Sequence, residues 1–297
     1  MNKKLSIIVF DVATITMKKV FFLLLLSPFG LFAQDAELYD LRWKVTDTLV
    51  YKTVMQTEFE NSESDVQKKD SPADSLTMDL REMFDKIREE SAKLKYETRL
   101  YPDAKGNVDL EMRIIQSGKD SSSLFGSLAM NGGVMLRGKL SPEGEVVSFY
   151  YKTTLNNLTS VLFALPNEQV RIGDEWKLGV NMIQMDQNFV ADSTSKRDRV
   201  RLKAVETVQG RKIAVIEYDI EEFARGGFVI SLAGGLTSNY GGKNNGIMRV
   251  THKATGRFDI EAGRWIDYEG RMVSDSFMPM MAKGKSVTIY KLIPKTE

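Results

Sequence analysis

Cysteine is absent from the chain, histidine occurs once, and basic and acidic residues nearly balance. Each scarcity excludes a class of function. Without cysteine there is no disulfide framework and no thiolate metal ligand, so stability must come from a packed core. A single histidine, His252, together with the lack of cysteine, argues against zinc or copper centres. Formal net charge is +1, far from the basic face that nucleic acid calls for. No Gly-x-Ser-x-Gly elbow is present. The Gly242-Lys243 pair lacks both the earlier glycine and the following Ser or Thr of a phosphate loop. Calcium loops of the alternating Asp type are missing too. No cofactor is expected.

Residues Met17 to Gln34 carry two lysines, an apolar run from Val20 to Leu26, the helix breakers Pro28 and Gly30, and the small Ala33. That is the layout of a secretory signal peptide, with residues 1–33 removed and Met17 the expected true start. The apolar run falls short of the ~20 residues that span a bilayer, so no transmembrane anchor is expected after processing. Removing Lys3, Lys4, Lys18, Lys19 and Asp11 with the leader turns the balance slightly negative. The expected location is the periplasm or beyond.

Beyond the leader, strand signals dominate. Leu41, Trp43 and Val45 alternate with polar neighbours, and so do Leu49, Tyr51, Thr53, Met55, Thr57 and Phe59. Residues 60–75 are rich in Ser, Asp, Glu and Lys and read as a solvated loop. Leu76, Leu80, Met83, Phe84 and Ile87 share one helical face, predicting a helix over Leu76–Ser91. A hairpin follows, Leu94–Leu100 and Val108–Ile114 around Pro102–Asn107. Leu124–Met130 predicts a short helical segment. Val134–Leu140 and Val146–Tyr151 flank a turn at Ser141–Gly144. Leu155, Leu158, Leu162 and Leu165 form a helical stripe stopped by Pro166.

The second part repeats this plan. Trp176-Lys177-Leu178 resembles Trp43-Lys44-Val45, and a hairpin reversing at Gln209-Gly210 corresponds to the one around Gly106. Gly246-Ile247-Met248 parallels Gly133-Val134-Met135, and Gly256 to Trp265 parallels Gly138 to Val146. The order is preserved as well as the type, which points to duplication: a first half over 34–165 and a second over 166–297. The last extended run, Ser286–Leu292, is placed to close a sheet. The expected fold is mainly β (α+β), two similar antiparallel β-sheet halves forming a curved sheet or half-barrel, with two or three packed helices.

Pro166, Val170, Ile172, Gly173-Asp174 and Trp176, with Gly256 to Gly263 later, resemble uncharacterised exported proteins of Gram-negative bacteria grouped as a domain of unknown function. The resemblance implies export and a β-rich duplicated fold; it carries no catalytic residues to transfer.

Candidate chemistry is sparse. His252 shares a strand face with Met248 and Val250, where a hydrogen-bonded structural role is the ordinary reading. Asp267 and Glu269 alternate with Ile266 and Tyr268 and read as the wet face of a strand. Methionines at 55, 83, 112, 130 and 135, and around Pro279 at 278, 280 and 281, fill cores or line apolar pockets. Leu80, Met83, Phe84 and Ile87 are the candidate apolar pocket, and core packing would use the same stripe. The expected function is a non-catalytic binding or envelope-maintenance module for a lipid, another apolar ligand or an envelope protein. The alternative is a secreted hydrolase using two carboxylates brought together from distant strands.

Overall fold

A computed structural model describes residues 37–60, 94–115, 133–148, 153–183, 189–231, 237–240, 246–278 and 281–295. They form twelve strands and, among the described residues, one helix. The strands are β1 Leu49–Glu60, β2 Lys95–Pro102, β3 Val108–Ile115, β4 Val134–Leu140, β5 Val146–Ser148, β6 Glu175–Trp176, β7 Phe189–Val208, β8 Arg211–Ser231, β9 Thr237–Tyr240, β10 Gly246–Asp259, β11 Arg264–Met278 and β12 Met281–Pro294. The helix, α1, spans Thr153–Phe163. The predicted helices at Leu76–Ser91 and Leu124–Met130 lie outside the described residues.

All strands belong to one open antiparallel sheet in the order β5-β4-β3-β2-β1-β12-β11-β10-β8-β7-β6, with β9 pairing β8 to the side. The two parts of the chain therefore share a single sheet. β1 to β5 and β6 to β11 both run as meanders in the same direction across it, and β12 joins them by pairing both β11 and β1. The expected closing strand thus sits in the middle of the sheet.

Period-two patterning explains the sheet's two faces. On β10, Met248, Val250, His252, Ala254 and Phe258 face inward and are buried. Outward residues are charged and pair across strands: Arg197 and Arg199 with Asp219, and Arg201 with Glu217. Hairpin turns take the left-handed residues such turns require, Gly106, Gly144, Gly210 and Gly263. Gly144 is constrained twice, since a Cβ there would lie 2.6 Å from Leu165 Cβ.

α1 lies on the inner face and turns Val161, Leu162 and Phe163 into the core, all at or below 1% exposure. Its last carbonyls have no intrahelical partners. Two indoles supply them: Trp43 Nε1 donates to the Phe163 carbonyl and Trp265 Nε1 to the Leu162 carbonyl, both at 2.9 Å. Leu165 N–H then bonds the Gly144 carbonyl at 3.2 Å, and Pro166 stops further winding.

One expectation is corrected. The alternation at Leu41, Trp43 and Val45 is real as burial, with Leu41 at 0% and Trp43 at 5% exposure, but this segment is not a strand. Its backbone makes single contacts, Tyr39 with Val170 and Lys44 N–H to the Gly263 carbonyl, because it crosses the open end of the sheet. Trp43 therefore packs as a plug against Phe163, Phe258 and Trp265. It is not the strand equivalent of Trp176, which does lie on a strand, β6.

Candidate functional site

The predicted pocket residues Leu80, Met83, Phe84 and Ile87 lie outside the described residues. Of the methionines, Met112 is fully buried, and Met55 and Met135 pack half-buried against the core. Met83, Met130 and Met280, and the side chains of Met278 and Met281, lie outside the described set. Asp267 is half-exposed and Glu269 exposed, ion-paired with Arg257 and Lys291 respectively. Among the described residues no group of acids and His could hold a metal ion. Nor is any helix there long and apolar enough to cross a membrane.

His252 sits in an aromatic cage on the inner face. Its Nε2 lies 2.8 Å from the Tyr268 hydroxyl, with the rings stacked, and Tyr218 and Tyr290 approach edge-on. Gly270 makes the room, since a Cβ there would fall 2.7 Å from the imidazole Cε1. Burial pushes the imidazole down to about 4, so it is neutral at pH 7. Burial also raises the Tyr218 and Tyr268 hydroxyls, and it pushes Tyr290 up to about 12. His252 Nδ1 and Tyr218 Oη have no partner. Among the described residues neither a carboxylate nor a serine or threonine hydroxyl bonds the ring. Among the described residues the imidazole thus has neither the nucleophile nor the orienting acid of a catalytic relay beside it.

The concave site lies where the sheet fails to close. A cavity of about 410 Å³ is lined by Glu145 and Val146 at the β5 edge. Across it stand Trp176 and residues 177–179 and 181 at the β6 edge, with α1 and the segment after it between. The two free edges of one sheet thus face each other across α1, which fills the seam without sealing it. The volume lies within the ~300–1,000 Å³ of small-molecule sites.

The helix residues explain both the fit and the gap. Leu158, Val161 and Leu162 serve the core, whereas Asn156, Asn157 and Ser160 line the cavity; Leu165, just past the helix, does both. Asn157 pins the far wall: its Oδ1 accepts from Asn181 N–H at 3.0 Å and its Nδ2 donates back to the Asn181 carbonyl. Asn167 Nδ2 donates to Glu145 Oε1 at 3.0 Å, tying the post-helical segment to the β5 side. Trp176 is half-buried against the core, and its buried Nε1 has no acceptor.

The β6 edge carries a further device. Leu178 and Gly179 N–H groups are both held by Asp198, at 3.1 and 2.8 Å. Asn181 N–H goes to Asn157, and Ile183 N–H goes to Glu222 at 2.9 Å. The donors of the segment after β6 are thus held by side chains of β7, α1 and β8.

Sequence reasoning named Trp176 as a repeat marker and passed over the cavity around it. Glu145, Asn157 and Trp176 are far apart in the chain and share no motif. Only the unpromising polar positions in a leucine-striped helix hinted that one face looked elsewhere than the core. No family model matches the chain, and no curated protein matches it.

Proposed function

We propose that the protein is an exported, non-catalytic binding module whose ligand occupies the cavity between the β5 and β6 edges. The observation that carries this reading is Trp176: its indole donor is buried in the wall of a small-molecule-sized cavity with no acceptor. An unmet buried donor costs ~1–3 kcal/mol, a cost that an incoming acceptor offsets. Among the described residues Glu145 is the one carboxylate in the lining, so these do not supply the acid pair that the hydrolase alternative needs.

Export rests on the Met17–Ala33 layout, and kinship with exported Gram-negative proteins rests on the Val170-to-Trp176 motif. The shared direction of the two meanders supports descent by duplication. An apolar ligand against Leu80, Met83, Phe84 and Ile87 remains part of the sequence-based expectation.

Native mass spectrometry of protein recovered from the periplasm of a Gram-negative host tests the reading. The expected chain begins at Gln34 and carries a non-covalent small molecule that Ser160→Trp, which fills the cavity, no longer retains. The same load on both proteins, or a bare chain in both, would overturn the site assignment.

A further inference from the structure

The wall of this cavity specifies more than its size. Building on the reading of the cavity as a ligand site, we infer that it takes a neutral saccharide unit.

Charge at the wall is balanced. Glu145 and Lys177 are the charged residues lining the cavity, one of each sign, and Glu145 is already engaged by Asn167. Nothing there concentrates a field that would select an anion or a cation. The ligand is uncharged.

Several polar groups at the wall are free. Asn156 and Ser160, on successive turns of α1, line the cavity without a partner among the described residues, as does the Trp176 N–H. An amide and a hydroxyl each both donate and accept. A ligand that uses them fully must do the same at neighbouring atoms. Vicinal hydroxyls have that property; a ketone, an ether or a hydrocarbon does not. Asn157, Asn167 and Asn181 are engaged with protein partners, and the apolar part of the wall is Val146, Ala164, Leu165, Pro166 and Leu178 beside the indole. A pyranose has a C–H face for such a surface and a rim of hydroxyls for the amides.

The segment after β6 disfavours the main competitor. An extended peptide would gain its affinity by pairing with a free strand edge. Here the donors of residues 178, 179, 181 and 183 are taken by Asp198, Asn157 and Glu222. Along the segment after β6 a peptide therefore finds no free donors at these positions, whereas a compact ligand needs none.

The three tryptophans make the test direct, since three indole N–H resonances report on three places. The Trp176 signal is identified by its loss in Trp176→Phe. The whole processed chain is titrated with the methyl glycosides of glucose, galactose and N-acetylglucosamine, and in parallel with N-methylacetamide and p-cresol. Each probe reaches about 10 mM, where a 1 mM site is mostly filled. At least one glycoside is expected to shift the Trp176 signal and leave Trp43 and Trp265 in place. Ser160→Ala and Asn156→Ala, checked as folded by thermal melting, are each expected to weaken that binding about fivefold, one hydrogen bond's worth. Movement of Trp176 by N-methylacetamide or p-cresol alone would overturn the saccharide assignment and leave the cavity a binding site. An indole that no probe moves would overturn both.

Discussion

Trp43 and Trp265 each end on a carbonyl of α1's last turn, whereas Trp176, on the helix's other flank, ends on nothing. The contrast separates two jobs for the same residue type. At the helix terminus the indoles meet an obligation of the backbone, because the last carbonyls of any helix need outside donors. That region is closed: Trp265, Phe163 and Phe258 are fully buried, with Trp265 and Phe258 packed edge to face. At the seam the helix shows its asparagines and serine to a cavity, and the indole donor is left over. One end of α1 is fixed by the core, and its flank borders the cavity.

The largest expected effect breaks the closed end. Trp265→Ala removes a fully buried indole and orphans the Leu162 carbonyl, so it should cost roughly 3–5 kcal/mol. Trp43→Ala should fall in the same range, measured by urea unfolding with unchanged slope. A loss under ~1 kcal/mol at either position would mean that the helix terminus does not depend on the indoles.

The second effect concerns the His252 cage, another place where buried polar atoms lack partners. Burial lowers the imidazole from 6.5 to about 4, so the unfolded chain binds the proton more readily. Stability is then intact above pH 6.5 and falls with acidification toward pH 4, by on the order of 3 kcal/mol in all. Tyr218, Tyr268 and Tyr290 around it stay neutral across that window. Arg113 holds Glu111 below the usual carboxylate value of 4.5, and Lys203 and Arg201 do the same for Glu217. Their contributions, present above 4.5, are lost lower on the acid side. His252→Asn should therefore flatten the stability profile between about pH 4.5 and 6.5. An unchanged profile would show that the imidazole is hydrated and not buried in the way described.

How much of this was legible in the sequence depends on the range of the interaction. Alternation and turn residues are local, so β1, the hairpins at Gly106 and Gly210, and the turn at Ser141–Gly144 could be read directly. The helix ending before Pro166 was equally plain. Burial alternation misled at Leu41–Val45, because a segment crossing the sheet's end buries every second side chain without having a strand to pair with. The length of β7 was hidden by Asp192–Arg199, whose charges interrupt the apolar pattern while pairing with Asp219, Glu221 and Glu222 on β8. The cavity was not legible at all. It exists only because both edges of the sheet arrive beside α1, and no local pattern encodes that meeting.

A third, smaller effect sharpens the difference at the seam. Asp198→Ala releases the Leu178 and Gly179 N–H groups whose bonds it now accepts. The loss should be about 1–2 kcal/mol, since solvent can take over part of the bonding. Faster amide exchange should be confined to residues 178–179. Protection unchanged at both amides would mean that the edge is not held by this carboxylate.

The smallest effect is the most discriminating, because it makes one substitution in both regions. Trp→Phe removes the indole nitrogen and its ring while keeping an aromatic side chain. At positions 43 and 265 it also leaves a buried helix carbonyl without its donor, adding about 1–3 kcal/mol to the loss of packing. At position 176 no acceptor is abandoned, and a buried unpaired donor is removed, which offsets part of the lost contact area. Trp176→Phe should therefore lie within about 1 kcal/mol of the parent protein, and Trp43→Phe and Trp265→Phe clearly below both. Urea unfolding of the three variants side by side decides the matter. Equal losses at all three positions would mean that the Trp176 donor has a partner in solution after all, and the seam would then be as closed as the helix terminus.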